Sequence, residues 1–255
     1  MRRNPALFSS ITRWRGVALI GIAVVATLWL AFGNELVLYI HPRYIVFTLI
    51  MGVLALAFVV ASLLVRTHAD DDAAEPRRGA KVLSSVGLAV AALIAIAMVV
   101  IPPATLTSAT ATQRDINSTM LGAETQSVSA AADASDATFT AFTVVDWSSL
   151  LRQTSDLSFY EGKPVDVVGF VTPDPDDPTN MFYVSRFVVT CCAVDAQPTG
   201  IPVYLENWQQ SYAVDEWVRA TGEFSTNPST ASTQSLALHT DTITKVDQPS
   251  EPYLY

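Results

Sequence analysis

The chain has 255 residues, a net charge of −9, half its residues hydrophobic and only 15% charged. An acidic chain is repelled by a polyanion, so nucleic acid is excluded as a natural partner. With two cysteines and three scattered histidines, neither a disulfide framework nor a Ser-His-Asp arrangement is supported.

The apolar residues are concentrated near the start. Three blocks, 16–32, 44–65 and 82–101, are almost free of charge. Crossing a hydrocarbon core takes about 20 apolar residues. The second and third blocks reach that length, and the first does so by running past Asn34 and Glu35. The expectation is three transmembrane helices at 16–38, 44–65 and 82–101. A cleaved leader is the alternative for the first block, but no small-x-small cleavage site precedes Asn34. Arg2, Arg3, Arg13 and Arg15 lie before the first block, and Arg66, Arg77, Arg78 and Lys81 lie between the second and third. Positive-inside counting places the N-terminus in the cytoplasm and everything beyond Pro102 outside. His41 and Arg43, in "YIHPRYIVF", fall at the outer boundary, where they anchor the second span or else bind a ligand. His68 stands alone in a polar loop.

Beyond Pro102 there are 19 acidic and 6 basic residues, which suits solubility, cations or a basic protein surface. Residues 103–141 are rich in Ala, Ser, Thr and Asp and read as a flexible extracytoplasmic stalk. Structure resumes at 142, where "VVDWSSLLRQ" reads as a short helix capped by Asp146. Five β segments follow: "KPVDVVGFV", "MFYVSRFVVT", "IPVYLE", "WVRATGEF" and "SLALHTDTITKV". The prolines of "TPDPDDPTN" mark a loop, and "AQPTG" a turn. The fold class expected is an α-helical membrane region followed by an all-β domain over 142–255. A five-stranded OB-like Greek-key barrel fits the strand count, with a small sandwich as the alternative. Gly169 and Gly222 are placed at strand ends, where they permit a bend or a close approach. Trp208 and Trp217 are read as core or interface residues.

Both cysteines lie in "RFVVTCCAVDAQPTG". Successive strand residues face opposite sides, so Cys191 and Cys192 reach one metal only if the strand bends. Three readings stay open: core packing of at least one thiol, a metal or substrate site using Cys192 and Asp195 with a distant His239, or a vicinal disulfide. Arg186, on the same apolar strand, either snorkels or pairs with an acidic neighbour across the sheet, or else turns to a cleft beside Cys192 and binds an anion.

The run from "KPVDVVGFV" through "MFYVSRFVVTCCAVDAQPTGIPVYLE" and "DEWVRATGEF" to "EPYLY", with "YIHPRYIVF" upstream, resembles the YcgQ-like family of permease subunits. The resemblance implies N-terminal spans, a C-terminal domain of unknown function, a separate polytopic permease as partner, and a link to metal-ion handling. Arg186, Cys192, Asp195 and Gly200 fall on that family's central motif. Some relatives carry a histidine-rich cytoplasmic loop, whereas here that loop has one histidine, which argues against a metal-loading role for it.

The expected function is that of a non-enzymatic, multi-pass accessory subunit of a two-component permease in the cell membrane. It would present its β domain outside the bilayer for gating or for delivery of a substrate such as a metal ion. No cofactor is required, and a divalent transition metal such as zinc is the candidate. The alternatives are a membrane-anchored metal or thiol-redox module that acts without a permease, and a receptor or adhesion domain.

Overall fold

The computed structural model describes residues 5–69, 105–117, 126–132 and 134–255, together with five isolated positions between 86 and 97. The chain divides into two compact units, Met1–Ala104 and Thr105–Tyr255.

In the first unit, helix α1 runs over Pro5–Phe32 and helix α2 over Ile45–Ala69. Asn34 takes the left-handed conformation (φ 58°) and ends α1, with the Gly33 N–H donating to Trp29 O and the Glu35 N–H to Leu30 O. The expected continuation of the first span to residue 38 is therefore corrected: a separate 3-10 turn, Leu36–Leu38, occupies that stretch. His41 caps the next turn, its Nδ1 accepting the Arg43 N–H at 3.1 Å, and Pro42 opens the way into α2. Where the two helices meet, Gly52 lets Leu28 in; a Cβ there would lie 2.9 Å from Leu28 Cδ2.

Among the described residues one helix is long and apolar enough to cross a membrane, Pro42–Ser62, with 21 residues. At 1.5 Å per residue it spans about 30 Å. The apolar part of α1, Val17–Phe32, is shorter. The expectation of three spans is thus reduced to one clear candidate. The third, 82–101, lies outside the described residues apart from the isolated positions, as does most of the loop before it.

The second unit is an all-β sheet of six strands: β1 (Val165–Pro173), β2 (Met181–Val188), β3 (Gln197–Tyr204), β4 (Trp217–Thr226), β5 (Leu236–Lys245) and β6 (Tyr253–Leu254). The strand order is β1-β4-β5-β3-β2-β6, and β1 also pairs with β2, so the five longer strands form a closed ring of pairings. The count of five is corrected to six, because "EPYLY" adds a two-residue strand parallel to β2. β3 also starts earlier than its sequence suggests: "QPTG", read as a turn, pairs with Ser185–Val188. Gly169 and Gly222 lie within β1 and β4 rather than at their ends, and Gly222 sits at a bulge.

β4 shows the expected alternation, with Val218, Ala220 and Phe224 buried and Arg219 and Glu223 exposed. β2 is buried along its whole length, which accounts for its nearly unbroken apolar run. Helix α3 (Val144–Gln153) packs on β2 and β3. Its Trp147 and Leu150 enter the core beside Val165, Val184, Ile201 and Phe224. Thr143 caps this helix, not Asp146; Asp146 sits at the third position and its carboxylate accepts the Thr143 N–H at 2.8 Å, closing a capping box.

The ring is splayed at one end. β1 pairs β2 only as far as Ser185, and β3 meets β5 only at Val203. The far end of β2 is covered by β6, and the first residues of β3 are covered by Asn117, whose N–H donates to Pro198 O. Parts of residues 103–141, expected as a flexible stalk, pack on the domain, and Asn117 among them supplies this cover. The Leu106 N–H donates to the Tyr253 hydroxyl, and Ala131 and Phe139 enter the core. A segment of small residues buries little apolar area, but its backbone and amide groups satisfy strand edges that would otherwise stay open.

Candidate functional site at the β2–β3 turn

The splayed end of the barrel carries the turn that joins β2 to β3, residues 189–196. Strand pairing stops before the cysteines: the Val189 N–H donates to Leu254 O, and the chain then bends into a 3-10 turn, Ala193–Asp195. The carboxylate of Asp195 gathers the bend. Its Oδ1 accepts the Thr190 N–H at 3.1 Å, and its Oδ2 accepts those of Cys191 at 2.7 Å and Cys192 at 3.4 Å. In return the Asp195 N–H donates to Cys192 O at 2.9 Å and points at the Cys192 sulfur.

One consequence is that the two thiols do not diverge as neighbours on a strand would. The sulfur of Cys191, the sulfur of Cys192 and a carboxylate oxygen of Asp195 all lie within 4.8 Å of one another. No disulfide joins the cysteines. Cys191 is exposed and Cys192 half-buried, so the core-packing reading is corrected. Between them and Asp195, Val194 is 82% exposed, which puts the turn at the surface.

Arg114 clips the far side of the turn, donating through Nη2 to Val194 O at 3.2 Å and through Nη1 to Ala196 O. Nothing in the sequence singled it out except that it is the first basic residue beyond Pro102.

Arg186 is placed elsewhere. It is 8% exposed, and its guanidinium donates to three carbonyl oxygens: Nε to Pro252 at 2.9 Å, Nη2 to Glu251 at 2.7 Å and Nη1 to Val168 at 3.3 Å. It also lies over the Trp217 ring, 5.2 Å from the centroid. Neither expected role holds, because backbone carbonyls take the place of the acidic neighbour or anion. Burial lowers its pKa to about 10, against a smaller opposing effect from Tyr255, so it stays charged at neutral pH. Its role is to fasten the β6 segment to β2. His239 lies exposed on β5 opposite Glu223 and is not part of the thiol group.

The proline-rich loop holds a second set of acidic residues whose role the sequence did not reveal. Buried Asp174 accepts the N–H groups of Asp176 and Asp177 and the Ser232 hydroxyl. Asp177 accepts from Ser229 at 2.6 Å and from Asn180, and Asp176 from Thr233. The Ser229 hydroxyl bond, first, and the Asn180 bonds hold the Asp177 carboxyl below the usual carboxylate range. These carboxylates staple the β1–β2 loop to the β4–β5 loop, and "STASTQ" supplies the donors.

Chemically, the turn offers two sulfurs and one carboxylate from five consecutive residues. That is fewer ligands than the four of a closed structural zinc site. A bound ion would keep at least one position for water, a substrate group or a partner's ligand. The class this defines is a helical N-terminal unit followed by an all-β domain that carries a thiol-rich surface turn. A family model described as the DUF1980 C-terminal domain matches residues 123–255, more than half of the chain, and the chain belongs to that family. No curated protein and no solved structure matches it.

Proposed function

We propose that this chain is a non-enzymatic membrane subunit that holds its β domain outside the bilayer and delivers a metal ion to a separate polytopic permease. The domain is read as an OB-like barrel, since its five longer strands pair in a closed ring. The observation that carries the delivery role is the group formed by Cys191, Cys192 and Asp195 on an exposed turn. An ion held there by few ligands is open to exchange, whereas an ion in a closed cage is not. The apolar helix Pro42–Ser62 supports membrane attachment. The arginine distribution supports a multi-pass arrangement with the N-terminus in the cytoplasm. The permease is inferred from the resemblance of the strand and cysteine motifs to permease subunits.

Both cysteines of the chain are in this turn, so a membrane-impermeant thiol reagent reports its side of the membrane. Labelling of intact cells is expected. Labelling only after lysis would overturn the orientation. For the delivery role, loss of this chain should lower metal accumulation to the level seen without the permease, and loss of both should add nothing further. Additive defects would favour the other reading, a membrane-anchored metal or thiol module that acts without a permease.

A further inference from the structure

Building on the proposed delivery role, we infer that the turn is selective for thiophilic transition-metal ions such as Zn²⁺, with Cys191 and Cys192 as the two ligands and Asp195 as a positioning residue. A carboxylate has about four lone-pair sites. Three N–H groups already take three of those of Asp195, and they belong to Thr190, Cys191 and Cys192, the residues that set both thiols. The carboxylate is therefore largely committed to shaping the backbone.

What remains for an ion is sulfur. Zinc–sulfur bonds are about 2.3 Å, so two sulfurs on one tetrahedral ion lie about 3.8 Å apart. The two sulfurs here lie within 4.8 Å of one another, so an approach of at most about 1 Å, by side-chain rotation, would seat one ion between them. Hard cations need a different set: Ca²⁺ takes about 6–8 oxygens and Mg²⁺ a near-octahedral oxygen shell. One engaged carboxylate cannot supply them, while thiolates favour soft and borderline ions.

The turn is also held from several sides, which keeps the donors in place before an ion arrives. β6 pairs the end of β2, Arg114 clips Val194 and Ala196, and Asn117 fixes the start of β3. Binding exchanges protons for metal without electron transfer. Each thiol gives its proton to water as its sulfur–metal bond forms, so one Zn²⁺ displaces two protons and both sulfurs keep their oxidation state.

The test uses the full chain in detergent, kept reduced with a phosphine, and Zn²⁺ alone as the probe in competition with a chromophoric chelator. Expected is saturable binding of one Zn²⁺ per chain with release of about two protons, unmoved by a large excess of Ca²⁺ or Mg²⁺. X-ray absorption of the loaded chain should count two sulfur neighbours. Cys191→Ser and Cys192→Ser should each weaken binding at least ~10-fold. Asp195→Asn should weaken it about 10- to 100-fold, as for other positioning residues, while the sulfur count at saturation stays the same. If Asp195→Asn does not fold, Asp195→Glu serves the same comparison. Equal competition by Ca²⁺, a sulfur count below two, or unchanged binding in a double serine variant would overturn the assignment. Sulfur-bound zinc in a chain whose loss does not mimic loss of the permease would sink the permease reading alone. The converse would sink this assignment alone.

Discussion

Asn117 and Gly200 are joined at both ends of one amide. The Gly200 N–H donates to Asn117 Oδ1 and Asn117 Nδ2 donates to Gly200 O, each at 2.9 Å. The Asn117 Oδ1 also takes the Thr199 hydroxyl at 3.0 Å. One side chain thus acts as a short length of neighbouring strand where β5 does not reach. Asn117→Asp keeps the shape but loses the donor and sets a carboxylate beside the Gly200 carbonyl. A loss of about 1–3 kcal/mol in denaturant unfolding is expected. Hydrogen exchange should rise first at Gly200, whose N–H the Asn117 amide holds. An unchanged midpoint with unchanged exchange would show that the contact carries no stability.

Arg186 makes a similar closure from the other side, with a charge instead of an amide. Its three carbonyl partners come from two segments, Val168 in β1 and Glu251 and Pro252 before β6. Arg186→Met fills much of the volume and strands all three acceptors, so a loss of about 3 kcal/mol or more is expected. Arg186→Lys should recover only part of it, because an ammonium cannot reproduce the planar fork. The informative readout is proteolysis near the C-terminal segment, which should speed up in both variants. Equal stability of the lysine variant and the parent would refute the role of the fork.

What the sequence made legible follows from periodicity. β4 and the first half of β1 stand out because alternating residues meet core and solvent, and β2 because both its faces are buried. Ring closure was within reach by strand count alone. β6 was not, since two residues carry no period and its pairing depends on the open edge of β2. The same holds for Asn117 and Arg114, whose low-complexity surroundings look like a linker until the edges they serve are known. At the site, spacing drew Cys192 and Asp195 together, and with Cys191 they do lie within 4.8 Å of one another. Strand alternation sets the two thiols apart unless the chain bends, and the chain does bend, the strand having ended at Val188. His239 was drawn in by residue type, and strand register puts it opposite Glu223.

Buried phenols set the response to alkali. Burial pushes Tyr160 and Tyr183 well above the ordinary tyrosine value, with nearby Asp174 adding to the effect at Tyr183, and pushes Tyr255 up to about 12. A folded pKa raised above the unfolded one contributes stability that is complete below about pH 10, the unfolded value, and is lost as pH climbs through the folded values. Arg186 works in the opposite sense, since its lowered pKa relieves a buried charge over part of the same range, but it is one group against three. The unfolding midpoint in urea is expected to fall steadily above about pH 10. Phenolate absorbance from Tyr160 and Tyr183 should appear together with unfolding and not before it. Tyr160→Phe, which loses the bond to Thr154 O, should cost about 1 kcal/mol at neutral pH and flatten the alkaline slope. A midpoint that does not move between neutral pH and about pH 11 would contradict the burial of these phenols.

Gly169 tests the closure of the ring directly. A Cβ on it would stand 2.5 Å from Ser185 O, 2.9 Å from Val184 Cγ1 and 3.0 Å from Ser185 N. Two of these are backbone atoms of β2 at the residue where the β1–β2 pairing begins, so the obstruction cannot be relieved by turning a side chain. Gly169→Ala therefore has to push β1 and β2 apart, and overpacking of this kind costs about 1–3 kcal/mol. The seam lies beside Arg186, whose Nη1 bond to Val168 O bridges the two strands one residue away. Gly169→Ala and Arg186→Met should therefore be coupled, with the double variant losing less than the sum of the singles. Thermal unfolding of the four proteins measures this, and strict additivity would mean that the seam and the arginine clasp act independently.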